Sequence, residues 1–291
     1  MNQGLVTVII SSYNHGPYIE QSISSVLQQT YSNLELLVVD DGSTDDSVER
    51  IRRLQEKHHF DFRAQKNQGL TNTLNEAAAR ARGDWIAPFG SDDIMMPERL
   101  AVQMEYVVGK PEIGICGGNI ELMYADGASY PEEEQNRDLS FRRMNFDDVF
   151  LERKPCIPAP TMLIRHEALD RVGGFNPAIR LEDLYIQLKI THAGYCIDVL
   201  NALFARYRKH PTNSYRNVRF MTESILAIYA DYADHPEYDN ARLKFINSMF
   251  VKASKRDRHL AAELLAQLPM SAWNARTLRG VLRYRFAPLR S

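Results

Sequence analysis

The chain has 291 residues, 44% of them hydrophobic and 25% charged, with a net charge of −2. That is enough apolar material for one large domain, or a domain with an appendage, and it excludes a fold that needs disulfide or metal staples to hold. The near-neutral total hides an asymmetry, because residues 1–240 hold 24 Lys+Arg against 35 Asp+Glu while residues 241–291 hold 11 against 2.

Val6 to Ile10 is a short β-branched run that stops at Ser11-Ser12-Tyr13-Asn14, the pattern of a buried strand feeding a polar loop. Tyr18 to Gln29 sets Ile19, Ile23, Val26 and Leu27 at helical spacing. Leu34 to Val39 predicts a second buried strand, ending at Asp40-Asp41-Gly42-Ser43. Ser43 or Thr44 is then placed to cap a helix running to about Lys57, with His58 and His59 as cap residues at its end. Phe60 to Ala64 is a weaker strand, and Leu70 to Arg82 an Ala-rich helix that Gly83 would terminate. Trp85 to Phe89 is a strand running into Gly90-Ser91-Asp92-Asp93. Pro97 is suited to open a helix through Val108, and Ile113 to Cys116 is another strand. Four strand–helix units in succession predict an α/β fold with a mostly parallel sheet covered on both faces.

After Gly118 the alternation stops. Tyr124 to Asn136 is polar and acidic, and Pro155, Pro158 and Pro160 precede an apolar run from Thr161 to Ile164. Leu184 to Ala193 reads as a helix, Tyr195 to Leu200 as a strand, and everything from Val218 onward as helical, so a boundary is expected near residue 215. Cys116, Cys156 and Cys196 are odd in number and far apart, which suits buried thiols in a reducing compartment. Met1 to Leu5 is too polar for a signal peptide and no apolar run is long enough to span a bilayer, so a cytoplasmic protein is expected. Lys252 to Arg290 interleaves basic residues with Leu260, Leu264, Leu278 and Leu282. That mixture suits either an interfacial helix drawn to anionic lipid on the inner membrane face or a helical cap with an outward basic side. No nucleic-acid-binding motif accompanies it, and no nucleic-acid partner is expected.

Ligands of an open parallel sheet bind beyond the carboxyl ends of its strands. Three polar clusters fall at such ends: Ser11 to Asn14, Asp40 to Ser43, and Gly90 to Asp93. Gathered carboxylates repel one another unless a cation or donor offsets them, and a hard divalent ion that in turn holds a diphosphate is their natural partner. Each cluster alone also has a plain reading, Asp40 to Ser43 as a turn and helix cap, Asp92-Asp93 as helix-start charges. Two acidic pairs at the ends of neighbouring buried strands are more specific than either pair. A dinucleotide oxidoreductase is disfavoured, since no G-x-G-x-x-G follows the first strand.

Four blocks carry a family resemblance. Val6 to Asn14, Val38 to Asp45, Ala81 to Asp93, and Val172-Gly173-Gly174-Phe175 followed by Glu182-Asp183 resemble, in order, the signature segments of family 2 glycosyltransferases. The resemblance covers roughly residues 5 to 215. It implies a GT-A fold for 1–215, with a nucleotide-sugar half (1–118), an acceptor half (119–215), and a helical, basic extension over 216–291. It implies that Ser11 and Tyr13 hold base and ribose, that Asp41 binds the base, that Asp92 binds ribose and Asp93 the metal, Mn²⁺ or Mg²⁺, and that Asp183 is the general base. His210, in a loop where members often carry a histidine, is implied as a metal ligand or diphosphate contact, with a surface histidine as the plain alternative. Arg206, Arg208 and Lys209 are candidates for phosphate contacts or for a solvated face.

The implied reaction is inverting transfer of a single sugar from a nucleotide diphosphate donor, UDP-linked by resemblance, to a carbohydrate or polyprenyl-linked acceptor in bacterial surface polysaccharide or glycolipid assembly. The chain departs from the pattern in Gly90, where an Asp often completes the DXD motif, and in Leu74, where an Arg often stands. The processive Gln-x-x-Arg-Trp signature is absent. The alternatives are a sugar nucleotidyltransferase, disfavoured because Ser11 to Gly16 has no Arg or Lys, and a non-catalytic nucleotide-sugar-binding module.

Overall fold

The computed structural model describes residues 4–135, 140–211 and 213–286. Met1 to Gln3, Asn136, Thr212 and the end of the basic tail, each part of a segment read above, lie outside them. The chain divides into two compact units, Met1–His210 and Pro211–Ser291.

The first unit opens with β1 (Val6–Ser12), α1 (Gly16–Leu27), β2 (Leu34–Asp40), α2 (Ser47–His58), β3 (Asp61–Ala64), α3 (Leu70–Ala78) and β4 (Trp85–Gly90) in the expected alternation. It continues through β5 (Ile94–Met95), α4 (Arg99–Val107), β6 (Ile113–Tyr124), β7 (Arg142–Met144) and α5 (Phe146–Phe150). It closes with β8 (Leu163–Arg165), α6 (His166–Arg171), α7 (Glu182–His192) and β9 (Cys196–Lys209). Among the described residues the strands form one sheet in the order β3-β2-β1-β4-β8-β6-β9-β5, with β7 on β9. The β3-β2-β1-β4 half is parallel. β8 then pairs antiparallel with both β4 and β6, and β9 pairs parallel with β6 but antiparallel with β5 and β7. The second half is therefore mixed, because β9 runs 14 residues and returns across the sheet instead of stopping near Leu200.

β1 sits centrally because Val6, Val8, Ile9 and Ile10 are all fully buried, each worth about 1.5–3 kcal/mol over exposure. Val6, Val8 and Ile10 share one core cluster with Ile19, Ile23 and Val26 of α1 and with Leu100 and Met104 of α4. Register then fixes the rim: Ser12 pairs with Asp40 and Ser11 with Gly90, so the carboxyl ends of β2, β1 and β4 lie side by side.

Several local expectations are corrected. Ser43 and Thr44 do not cap α2, which starts at Ser47. Their polar atoms are engaged elsewhere, Ser43 with Asp40 and Thr44 with Asn14. α3 ends at Ala78, well before Gly83. Gly83 has a different role: a Cβ there would stand 2.5 Å from the Thr7 nitrogen, so glycine lets its backbone meet β1. α4 starts at Arg99, two residues after Pro97. Of the thiols only Cys116 is buried; Cys196 is half-buried and Cys156, on its Pro-rich loop, is exposed. His59 does end α2, in the left-handed conformation with its N–H on the Gln55 carbonyl.

The second unit contains α8 (Val218–Ala230), α9 (Tyr238–Ala253), α10 (Arg258–Ala266) and α11 (Ala275–Phe286), packed around Ile228, Phe245, Ile246, Phe250, Leu260 and Leu264. α11 lies on α9 through its small residues. The Thr277 hydroxyl donates to Asn247 Oδ1 at 2.8 Å, and a Cβ on Gly280 would come within 2.9 Å of the Phe250 ring. That seating leaves Leu278 and Leu282 more than half exposed among exposed Arg276, Arg279 and Arg285. No helix among the described residues is long and apolar enough to cross a membrane.

Candidate active site

The loops after β1 and β2 are stitched together. Asn14, in the left-handed region at φ 53°, donates its N–H to Ser43 Oγ, and its side chain accepts from the Thr44 N–H, both at 2.8 Å. The His15 N–H donates to Ser47 Oγ (3.1 Å) and the Gly16 N–H to Asp45 Oδ2 (2.9 Å). A Cβ on Gly16 would fall 2.1 Å from Asp46 Oδ1, so a larger residue there would have to push that carboxylate aside. These bonds aim the His15 ring at the β4 loop, where its Nδ1 lies 2.7 Å from Ser91 Oγ.

A fourth segment joins from β9. Ile94 and Met95 pair with Arg206 and Ala205, which brings the end of β9 against Asp92 and Asp93. His210 Nε2 lies 2.8 Å from Asp92 Oδ2, and the Arg208 N–H donates to Asp93 Oδ1 at 2.8 Å. His210 is buried, stacks on Tyr18 at 5.5 Å between centroids, and meets the His15 ring edge-on at 5.6 Å. Ligand atoms of His15, Asp92 and His210 all lie within 4.8 Å of one another, a mixed nitrogen and oxygen set that fits a divalent ion. Asp93 stands behind them, 3% exposed. Burial first, and then the Asp92 charge, hold its carboxyl well above the usual range, against the pull of Arg208 and Arg99. Burial likewise holds His15 below its ordinary value, with His210 adding to the shift and Asp92 opposing it.

Of the acids foreseen, then, it is Asp92 that meets His210, whereas Asp93 turns inward to the β9 backbone. Arg208 is not a solvated residue. It is 1% exposed, and its guanidinium donates to the Asp92 and Ala125 carbonyls and to Gln21 Oε1 while lying over Tyr18. Arg206 donates to the Gly127 carbonyl and Ser129 Oγ, and Lys209 lies over the Tyr130 ring.

Ser11 is half-buried and Tyr13 is 49% exposed, free of the core at the end of β1. The Ser12 hydroxyl between them is buried with no hydrogen-bond partner. Asp41 is buried and already occupied: its carboxylate accepts the N–H groups of Gln68 and Gly69 and the Gln65 amide, all at 2.9 Å. It thereby fixes the loop that starts α3. From α3 the contacts continue toward the fourth signature block. Asn75 brackets Phe175, accepting its N–H at 2.9 Å and donating to its carbonyl at 2.7 Å, and Thr71 donates to the Ile179 carbonyl. Gly174 has φ +76°, and a Cβ there would meet Asn75 Oδ1 at 2.8 Å. The Gly-Gly-Phe turn therefore needs its glycine both for conformation and for the Asn75 clamp.

Glu182 and Asp183 occupy the first turn of α7. Burial raises both carboxyls, Glu182 up to about 8 with the charge of Asp183 adding to it. A carboxylate raised in this way is a stronger proton acceptor than an ordinary one. Arg99, 1% exposed, ties the neighbouring Pro-rich loop to α4 through the Pro160 and Met162 carbonyls at 2.7 and 2.8 Å.

Sequence reasoning missed His15, Tyr18 and Ser91. His15 had a signal, lying in the polar loop between the first strand and the Gly16-Pro17 helix start. Tyr18 had none, because its role depends on a residue of β9.

The family model described as "Glycosyl transferase family 2" matches residues 7–173. The chain is 26% identical over 212 residues to the O-antigen biosynthesis glycosyltransferase WbnJ of Escherichia coli, covering 71% of this chain and 80% of that protein. The fold is similar to that of S. aureus TarS in complex with UDP-GlcNAc, with a TM-score of 0.68 and 17% identity over 92% of this chain and 82% of that one. It is also similar to the mannosyltransferase PcManGT from Pyrobaculum calidifontis in complex with GDP-Man and Mn²⁺, with a TM-score of 0.63 and 18% identity over 98% and 85% of the two chains.

Proposed function

The chain belongs to glycosyltransferase family 2, and on that premise we propose that it transfers one sugar from a nucleotide diphosphate to an acceptor hydroxyl with inversion, in the assembly of a bacterial surface polysaccharide or glycolipid. The single observation that carries this reading is the register that sets Ser11, Ser12, Asp40 and Gly90 side by side, so that the loops bearing Tyr13, Asp41 and Asp92 open on one rim.

Tyr13, exposed at that rim, offers a face on which a base can stack, with Ser11 beside it. Asp41 shapes the wall by holding the loop at Gln68 and Gly69, and its carboxylate must exchange one of those donors to reach a base directly. Asp92 and His210 are the side chains suited to hold a divalent ion such as Mn²⁺ or Mg²⁺, with Asp93 bracing the loop behind them. Bound there, the ion supplies positive charge for the diphosphate oxygens of the donor.

Asp183 accepts the proton of the acceptor hydroxyl as its oxygen bonds to the anomeric carbon and the bond from that carbon to the diphosphate breaks. Attack from the side opposite the leaving group inverts the centre. Burial of Asp183 keeps its basicity above that of a surface carboxylate. An acceptor in polysaccharide assembly is supported by the similarity to the O-antigen enzyme. Absence of the processive signature supports transfer of a single sugar, and the Leu278, Leu282 and arginine face of α11 supports a peripheral place on anionic lipid near a polyprenyl-linked acceptor.

Asp183→Asn tests this. Transfer should fall about 10²–10⁴-fold, the usual worth of a positioned base, while donor binding is kept. Unchanged transfer in the variant would remove Asp183 from the mechanism, and donor binding without turnover in the wild type would leave a binding module.

A further inference from the structure

Asp92 and His210 account for only part of what converges at the rim. The third group within reach is His15, which arrives from a different loop and is more firmly placed than a rim residue needs to be. Its main chain is fixed from both sides, by the Ser47 hydroxyl on its own N–H and by Asp45 on the next one. Its ring is fixed through Nδ1 by Ser91 Oγ at 2.7 Å. A histidine whose ring is oriented from one nitrogen is the usual arrangement of a metal ligand, where the outer partner sets tautomer and direction. The candidate donors come from the β1–α1 loop, the β4–β5 loop and the end of β9, yet all lie within 4.8 Å of one another.

We propose that His15 is a third protein ligand, that His15, Asp92 and His210 form a two-histidine, one-carboxylate site, and that this site binds a first-row transition ion such as Mn²⁺ or Co²⁺ in preference to Mg²⁺ and before the donor arrives. The chemistry follows from ligand type. Mg²⁺ takes oxygen ligands, gives up water reluctantly and is normally held by one or two carboxylates plus substrate phosphates. A site with a single carboxylate and no imidazole would therefore depend on the donor for its ion. Two imidazoles shift affinity along the first-row series toward ions that accept nitrogen. The purpose of the site rests on the transfer reading, but its occupancy does not, since all three ligands belong to the protein.

The test is Co²⁺ titrated into the donor-free full-length chain, followed by its visible absorption and by equilibrium dialysis, with Mg²⁺ as competitor. The wild type should take up one Co²⁺ that a large excess of Mg²⁺ does not displace. His15→Ala should weaken Co²⁺ binding by about 100-fold, at or beyond the top of the range seen when only an outer partner is removed, with an altered absorption spectrum. Ser91→Ala, which frees the ring but keeps the ligand, should weaken it about tenfold. His15→Gln, which keeps a polar group in the loop, should fail to restore affinity, and matched thermal melts in chelator would establish that the variants are folded. Wild-type Co²⁺ affinity in His15→Ala would overturn the proposal, as would equal affinity of the wild type for Mg²⁺ and Co²⁺. The transfer reading is judged separately: Co²⁺ bound as expected with no donor turnover sinks that reading and leaves His15 a ligand, whereas donor turnover together with wild-type Co²⁺ affinity in His15→Ala sinks the ligand and leaves the transferase.

Discussion

Asp92 and Asp93 are adjacent in the chain, yet one meets two histidines and the other accepts a backbone N–H from a residue 115 positions away. The acid pair was legible in the sequence because polar residues at a strand end mark a rim. Which of the two faces the rim was not, because β5 is only two residues long and its pairing with β9 decides the rotation of the loop. His15 carried only its place in the polar loop after β1, because the residues its ring meets, Ser91 and His210, follow β4 and β9. Glu182 adds a titration that can be checked. Its carboxyl is raised by burial from an ordinary 4.5 to about 8, so within that window the folded chain holds a proton that the unfolded chain releases. The stabilising contribution is complete below 4.5 and disappears as pH rises through about 8. Urea midpoints across this window should fall for the wild type and fall less for Glu182→Gln. The difference should amount to a few kcal/mol, since a tenfold change in proton affinity is worth about 1.4 kcal/mol. Parallel curves for the two proteins would mean that Glu182 ionises as it does in water.

At the scale of elements, hydrophobic periodicity located most of the strands and helices of the first 118 residues, while terminators were less legible. Gly83 has the composition of a helix stop, but its smallness serves β1, and α3 stops at Ala78 on its own. β6 and β9 run on past their apolar stretches because each supplies the other's backbone partners, a contact between distant segments that no local pattern carries. The amphipathic pattern of α11 suits a cap and a lipid-facing helix equally, and only its packing separates inner face from outer. With Thr277 and Gly280 against α9, the outer face carries Leu278 and Leu282 between arginines. That face should bind vesicles of anionic phospholipid and not zwitterionic ones, with each basic residue near the surface contributing about 1 kcal/mol. Replacing Leu278 and Leu282 by Ser, and separately Arg276 and Arg279 by Glu, should each abolish sedimentation with the vesicles, and binding that survives both changes would make α11 a plain cap.

For the molecule as a whole, an acidic first unit of 22 basic against 30 acidic residues gathers some of its carboxylates at one end of a sheet, and a basic helical unit of 13 against 7 follows in the chain. The rim could be foreseen since parallel strands of buried residues must end together; the antiparallel return of β8 and the long β9, which complete the site with His210, could not. The clamp from Asp41 through Gln68 and Gly69 to α3, and from Asn75 to the Gly-Gly-Phe turn, ties the carboxyl end of β2 to the segment that leads to Asp183. The central claim is that the loops at these strand ends hold a cation-bridged nucleotide sugar. Thermal denaturation of the wild type and of Asp92→Asn, with a panel of UDP-, dTDP- and GDP-sugars in the presence and absence of Mn²⁺, tests it most directly. One donor should stabilise the wild type only with the ion, by about 2.7 kcal/mol at a hundredfold excess over Kd, and should leave Asp92→Asn unmoved. If no nucleotide sugar stabilises the wild type with any ion, or if Asp92→Asn responds as the wild type does, the account is contradicted.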